Sequence, residues 1–171
     1  KRALKINHPN LEKFTFTPGG KERQNSVYNG LSVINEQIQH VFIHDCARPL
    51  IDVEQLKLLQ QSMVDHNAAT LAHKVTDTIK QIAERPPLKN NAFALKDLQR
   101  DLLWAIETPQ IFNKKTILSG YDYVNKNNSI ITDDTSAVSA IGEEIFIIEN
   151  KKPNPKITYP QDLDLIKFLN V

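Results

Sequence analysis

The sequence predicts an α/β fold, with a sheet flanked by helices in a single domain. Short β-prone runs alternate with stretches whose apolar residues recur at helical spacing, as in strands joined by helices. The apolar runs at residues 41–43 and 68–75 are the clearest strands. A length of 171 residues fits one domain, and 40% hydrophobic with 24% charged residues is ordinary for a globular protein.

Composition and charge argue against several functional classes. The net charge of +1 disfavours a strongly basic surface for nucleic acid. No apolar stretch approaches the roughly 20 residues of a membrane helix, so no membrane association is expected. The single cysteine, Cys46, cannot form an internal disulfide, which favours a reducing cytoplasm.

The first predicted elements surround a glycine pair. A β-prone run at residues 14–17 ends at Gly19-Gly20, where the backbone must turn freely. A helix is predicted over residues 23–36 from apolar spacings of four and three. Its inward face consists of Val27, Leu31 and Ile34.

The strand at residues 41–43 ends abruptly in His44-Asp45, with Arg48 close behind. In open α/β sheets, ligands bind at such strand ends. A following capping box at Asp52 and Gln55 starts a helix. That helix carries an apolar stripe of Leu56, Leu59 and Met63.

Residues 76–99 interrupt this rhythm. They have no helical stripe, Pro86-Pro87 breaks the middle, and short β-prone pieces flank the break. A hairpin arm that leaves the sheet fits this pattern. An arm without its own core must pack on something, and a second subunit is the simplest candidate.

The C-terminal half returns to regular elements. Residues 114–126 form an amphipathic helix, and Thr132 or Asp133 caps a shorter one that stops at Gly142. A strand follows at residues 145–148, and a capping box at residues 158–161 begins the last helix. Thr108-Pro-Gln110 and Asp77-Thr78 could each be plain turns.

Several cations stand beside predicted strand ends and helix starts. Arg23 opens the first helix, where backbone N–H groups and the dipole attract anions, and Lys156 precedes the last helix. Arg48 follows a strand, and Arg100 lies where the arm returns. Together they indicate a phosphorylated ligand, although each residue alone could be a solvated surface charge.

Other chemistry has less support. The 5 histidines lack metal-ligand spacing and Cys46 has no partner, so a zinc site is not expected. Ser26 has no nucleophile-elbow context. Asp133-Asp134 could bind magnesium, but such a pair more often caps a helix, which is the interpretation we favour.

Six segments stand out, in order along nearly the whole chain: Gly19-Gly-Lys-Glu-Arg-Gln-Asn-Ser-Val27 with Gly30-Leu31, His44-Asp-Cys-Ala-Arg-Pro49, Asp77-Thr-Ile-Lys80, Leu103-Trp104 with Thr108-Pro-Gln110, Thr132-Asp-Asp-Thr-Ser136, and Asn154-Pro-Lys-Ile-Thr158 with Pro160-Gln-Asp-Leu163. Together they resemble the 2-C-methyl-D-erythritol 4-phosphate cytidylyltransferase family of the non-mevalonate isoprenoid pathway. One such motif would be weak evidence, whereas six in order are strong.

The resemblance implies a Rossmann-like, glycosyltransferase A-like nucleotidyltransferase fold with a mixed sheet. A phosphate oxygen of methylerythritol phosphate would attack the α-phosphorus of CTP, and pyrophosphate would leave with Mg²⁺ or another divalent cation held mainly by the CTP phosphates. The family works as a homodimer, for which residues 78–103 would be the dimerisation arm.

By position, the resemblance implies a role for each motif residue. Asp45, Arg48 and Lys156 would form the catalytic and acceptor-binding group, with Lys156 screening the transition state. The remaining substrate contacts would be Gly20, Lys21, Arg23, Ser26, Cys46, Thr78, Arg100 and Thr108. Of these, Thr78 and Arg100 would reach the neighbouring subunit's site.

Three residues depart from the family pattern. Cys46 stands where Ala or Gly is usual, Glu107 where Gln is commoner, and Pro155 where an aliphatic residue is expected. None removes a catalytic side chain. The sister enzyme that cytidylates ribitol 5-phosphate shares most of these motifs and remains an alternative.

The N-terminal part of the family pattern has no counterpart here. The family opens with a strand and a Gly-rich basic loop around the triphosphate. This chain begins at Lys1, and its single methionine is Met63. We therefore expect an N-terminally truncated domain over residues 1–171. A third alternative follows, in which the chain is an inactive fragment or one part of a split enzyme that only dimerises.

Overall fold

The computed structural model describes residues 13–83 and 93–169. Its helices are α1 (Arg23–Leu31), α2 (Val53–Ser62), α3 (Lys114–Lys126), α4 (Asp134–Ser139) and α5 (Asp162–Leu169), with one 3-10 turn at Arg100–Leu102. Its strands are β1 (His40–Ile43), β2 (Ala68–Lys74), β3 (Lys80–Ile82), β4 (Leu95–Asp97), β5 (Trp104–Asn113) and β6 (Phe146–Glu149).

The main sheet is mixed, which confirms the predicted fold class. Its strand order is β1-β5-β2-β6. Strand β5 runs antiparallel to both neighbours, with Val41 and Ala68 each opposite Phe112. The β2–β6 pair is parallel, with Ala69 opposite Phe146.

Strand β5 corrects the prediction of a turn at residues 108–110. These residues lie inside a 10-residue strand at the centre of the sheet, and the buried run extends on both sides of Pro109. A proline cannot donate to a strand ladder, so regular pairing must break beside it. The break is visible on β2, where the register shifts between Thr70 and Ala72. Burial between two strands outweighed the turn-like local sequence.

The sheet has a hydrophobic core on each face, because successive strand residues point to opposite sides. Phe112 packs with Tyr121 and Val138, in the cluster that α1, α3 and α4 cover. The neighbouring Ile111 packs instead with Leu59, in the cluster below α2. Helices α1 and α4 therefore lie on the same face of the sheet.

The helices mostly follow the predicted periodicity. Helix α3 spans the predicted residues, Asp133 caps α4, and the capping box of Asp52 and Gln55 begins α2. Helix α1 ends at Leu31, before the predicted residue 36, and residues 14–17 form no strand. The last helix begins at Asp162, whose carboxylate accepts from the backbone N–H groups just before it, instead of the predicted capping box at residues 158–161.

The predicted arm contains a small antiparallel hairpin that is separate from the main sheet. Lys80 pairs with Asp97 and Ile82 with Leu95, and all residues of β3 and β4 are exposed. The predicted break at Pro86-Pro87 lies outside the described residues. Within the described ranges, no helix has the length and apolarity to cross a membrane.

Candidate functional site

Asp45 is the centre of a polar cluster beyond the end of β1. Its carboxylate accepts a hydrogen bond from Lys156 Nζ at 2.8 Å. Arg23 donates to the same carboxylate through Nη2 at 3.2 Å and Nε at 3.3 Å. The Asp45 backbone N–H donates to Thr108 Oγ1 at 3.0 Å, which ties the end of β1 to the central strand. Three other segments of the chain therefore meet at Asp45, two at its carboxylate and one at its backbone N–H.

The two cations keep Asp45 ionised. Burial on its own would raise the pKa of Asp45, but the hydrogen bond from Lys156 and the charge of Arg23 outweigh it. The pKa of Asp45 therefore lies below its ordinary value of 3.8. Near neutral pH the cluster holds one carboxylate between two cations.

Arg23 is held in this position by a buried carboxylate. Its guanidinium donates to both oxygens of Asp134, at 3.0 and 2.7 Å. Asp134 is fully buried and also accepts from the Tyr121 hydroxyl at 2.5 Å. The hydrogen bond to Asp134 is the largest effect on the pKa of Arg23 and raises it, against the opposing effect of burial. Asp134 is therefore an anchor for Arg23.

Arg48 and His44 join the same cluster from the loop after β1. Arg48 Nη1 donates to the Asn154 carbonyl at 2.6 Å. His44 lies between the Arg48 carbonyl, 3.0 Å from Nε2, and Thr108 Oγ1, 3.1 Å from Nδ1. Within residues 13–83 and 93–169, the buried Nε of Arg48 has no hydrogen-bond partner. The contacts of Arg48 and His44 thus join the loop after β1 to β5 and to the segment before Lys156.

The site has a cavity of about 330 Å³, within the usual size range of small-molecule sites. Five predicted site residues line it, namely Arg23, Asp45, Arg48, Thr108 and Lys156. The sequence did not assign site roles to its other lining residues, which are Ile106, Glu107, Gln110, Thr132, Asp133 and Thr135. Glu107 and Gln110 are polar residues within the otherwise apolar run of β5. That polarity was the signal that could have marked these two as site residues.

The other predicted nucleotide contacts lie beside this cavity without lining it. The Gly20 N–H donates to Ser26 Oγ at 2.9 Å, which closes the turn into α1. A Cβ on Gly20 would lie 2.2 Å from Asn25 Cβ, so the turn requires glycine. Lys21 and Cys46 are exposed, Lys21 two residues before Arg23 and Cys46 directly after Asp45 in the chain.

Thr78 and Arg100 lie apart from the cavity within one copy of the chain. Thr78 is exposed in the loop before β3, and Arg100 Nη1 donates to the Thr76 carbonyl at 3.2 Å. Arg100 lines a separate cavity of about 340 Å³ with Lys74 and Leu103. Their predicted role in a neighbouring subunit's site stays a prediction.

The cavity carboxylates are already engaged, which bears on the expected magnesium ion. Asp45 holds two cations, and Asp133 accepts from Gln110 Nε2 at 2.9 Å and from the Ser136 N–H at 3.1 Å. Across the described parts of the chain, no group of three or more His, Cys, Asp or Glu side chains could hold a metal ion. These residues do not fit a protein-held magnesium site.

Known proteins resemble this chain over most of its length. The chain is 36% identical to 2-C-methyl-D-erythritol 4-phosphate cytidylyltransferase of Acinetobacter baumannii, over 98% of this chain and 69% of that protein. It is 37% identical to the chloroplastic protein of that name from Oryza sativa subsp. japonica, over 90% of this chain and about half of the rice protein. The crystal structure of the Francisella tularensis cytidylyltransferase matches with a TM-score of 0.82 and 32% identity, over 97% of this chain and 75% of that chain.

The family model described as IspD, 2-C-methyl-D-erythritol 4-phosphate cytidylyltransferase, matches residues 3–170. That match spans the loop after β1, the central strand and the segment with Lys156, which together form the cavity. The chain belongs to the 2-C-methyl-D-erythritol 4-phosphate cytidylyltransferase family.

Proposed function

We propose that this chain carries the acceptor half of a cytidylyltransferase site, which, joined to the rest of the nucleotide site, transfers CMP from CTP to 2-C-methyl-D-erythritol 4-phosphate. The carrying observation is the convergence of Arg23, Arg48 and Lys156 around Asp45 at one cavity. Family membership supports the choice of substrates. The expected role in isoprenoid synthesis follows from it.

In the proposed reaction, a phosphate oxygen of the acceptor attacks the α-phosphorus of CTP. The bond from that phosphorus to the oxygen bridging to the β-phosphorus breaks, and its electron pair leaves with pyrophosphate. Arg48 and Thr108 hold the acceptor phosphate, and Asp45 accepts from acceptor hydroxyls. Lys156 lies 2.8 Å from Asp45 and stabilises the negative charge that develops on phosphorus.

Binding of the acceptor phosphate changes the partners of the cations. In the ligand-free cluster, Lys156 and Arg23 share Asp45 as their counter-charge. The incoming phosphate supplies further acceptors, and each charge-assisted hydrogen bond contributes about 1.5–3 kcal/mol. The phosphate therefore enters a site whose donors are already oriented.

Nucleotide binding, the metal and the assembly complete the proposal. Gly20, Lys21, Ser26 and Cys46 contact the cytidine portion of CTP at the start of α1. Magnesium would enter with CTP, held mainly by its phosphates, and would neutralise part of their charge. The arm forms a homodimer, which the exposed apolar Leu95 of its hairpin supports. A cytoplasmic location is supported by the free thiol of the lone cysteine.

Pyrophosphate release tests the proposal. It is measured with CTP and methylerythritol phosphate, with CTP and ribitol 5-phosphate, and with CTP alone. Two proteins are compared: the 171-residue chain, and a chimera in which the unmatched part of the Acinetobacter baumannii relative completes it. We expect turnover in the chimera with methylerythritol phosphate, and little or none in the chain alone.

The other outcomes separate the alternatives. Preference for ribitol 5-phosphate would replace the proposed acceptor. A chimera that is folded but inactive with both acceptors would reject the proposed function and favour a chain that only dimerises.

A further inference from the structure

The departure at Glu107 has a structural consequence that extends the proposed function. Glu107 is 97% buried in the central strand, since only 3% of its surface is exposed. Its Oε2 accepts from Asn150 Nδ2 at 2.8 Å and from Asn154 Nδ2 at 2.7 Å. Its Oε1 lies 2.5 Å from His73 Nδ1. Both carboxylate oxygens therefore have partners on other segments.

The two asparagines lie in the segment that leads from β6 to Lys156. Asn150 follows β6, and its Oδ1 accepts from the buried Gln55 Nε2 at 2.7 Å. Asn154, which lies two residues before Lys156, donates a second hydrogen bond to the Thr108 carbonyl at 2.9 Å. The segment of residues 150–156 is thus fastened to the central strand through buried amide groups.

The same segment also contacts the loop after β1. Arg48 binds the Asn154 carbonyl, and the Ile157 N–H donates to the Ala47 carbonyl at 2.8 Å. The position of Lys156 against Asp45 therefore depends on how firmly this segment is held.

We propose that Glu107 is a positioning residue that holds residues 150–156 in place, so that Lys156 and Arg48 meet the acceptor phosphate. The proposal rests on the proposed function for its kinetic consequence. Its structural consequence can be measured without any activity.

A matched pair of substitutions tests the role. Glu107→Ala removes the acceptor of the Asn150 amide and leaves the Asn154 amide with only the Thr108 carbonyl. Glu107→Gln keeps one oxygen for both asparagines, and its amide can donate to Nδ1 of His73 in the other tautomer. Only the alanine variant should release the segment.

Amide hydrogen exchange is the first readout. The Ile157 N–H reports docking of the segment, and the Asn113 N–H, bonded to the Asn67 carbonyl at 2.8 Å, reports the main sheet. We expect Glu107→Ala to accelerate exchange at Ile157 by about tenfold or more, since buried donors lose their acceptor. Exchange at Asn113 in that variant, and at both amides in Glu107→Gln, should stay within about threefold of the original protein.

Steady-state kinetics of the chimera is the second readout. Glu107→Ala should raise KM for methylerythritol phosphate and lower kcat by about tenfold, while KM for CTP stays unchanged. Glu107→Gln should restore most of the loss. In a Lys156→Ala background, Glu107→Ala should have a smaller effect, because both changes act through the same group.

The outcomes distinguish this inference from the proposed function. Unchanged exchange at Ile157 in Glu107→Ala, or equal acceleration at Ile157 and Asn113, would overturn the positioning role. If Glu107→Ala does not fold, Asn150→Ala carries the same exchange test with a smaller expected acceleration. An inactive chimera whose Ile157 exchange responds as expected would reject the function and keep the positioning role.

Discussion

The buried pair of Arg23 and Asp134 allows a quantitative prediction for Asp134→Ala. The substitution removes the acceptor of the Tyr121 hydroxyl, and both residues are fully buried. An unsatisfied buried hydroxyl costs about 1–3 kcal/mol. Arg23 also loses two hydrogen bonds, but its side chain is 39% exposed, so water screens that loss to about 1 kcal/mol. We expect the free energy of unfolding to fall by about 3 kcal/mol in total.

This change is measured by urea unfolding, with the fluorescence of Trp104, the single tryptophan of the chain, as the signal. With a slope of roughly 2 kcal/mol per molar urea, the midpoint should fall by about 1.5 M.

The control is Asp122→Ala. Asp122 accepts from the Tyr28 hydroxyl at 2.8 Å, which is the same kind of contact on the exposed surface. Its loss should change the free energy of unfolding by no more than about 0.5 kcal/mol. Equal midpoints for Asp134→Ala and Asp122→Ala would refute the argument that burial of Asp134 makes it an anchor.

Three further predictions concern acid stability, catalysis and assembly. The pKa of Asp45 lies below 3.8 in the folded chain, so its stabilising contribution is present above that pH and lost as the pH falls through the lowered value. Thermal unfolding between pH 5 and pH 2 should therefore show a smaller loss of Tm for Asp45→Asn than for the original chain, and parallel curves would contradict this. Arg48→Ala and Lys156→Ala in the chimera should each lower kcat/KM by about 10²-fold or more in pyrophosphate release, as expected for the loss of one electrostatic stabiliser; unchanged kinetics in both would reject the site. Leu95 on the arm hairpin is 64% exposed, and Leu95→Asp should halve the mass measured by light scattering. Val64→Asp, at an 84% exposed position outside the arm, should leave the mass unchanged. A monomeric original chain would reject the dimer.

Elements with strong local signals were predicted well. Helix α3 has the predicted bounds because its apolar spacing continues through Val124 and matches the face that the sheet buries. The cap at Asp133 was also predictable, since a side chain that accepts from N–H groups three residues later needs only local geometry. Helix α1 ends early, at its buried residue Leu31, and a turn follows at residues 32–33, although Ile34 still packs against the same core.

Strand β5 and the Glu107 contacts were not predictable from local sequence. The residues Thr108-Pro109-Gln110 have turn chemistry, and their strand conformation depends on pairing with β1 and β2, which are distant in the chain. The partners of Glu107 likewise come from β2 and from the segment after β6. Neither apolar periodicity nor motif spacing encodes such pairings.

The sequence by itself determined the family, the residue types of the site and the positions of most helices. These depend on motif order and on short-range periodicity, both of which are readable along the chain. Only the tertiary structure decided which residues meet. It placed Arg23 between Asp45 and Asp134, and it fastened the segment that carries Lys156 to Glu107. The strand that ends just before His44-Asp45 identified the site, and burial of charged groups between distant segments decided its geometry.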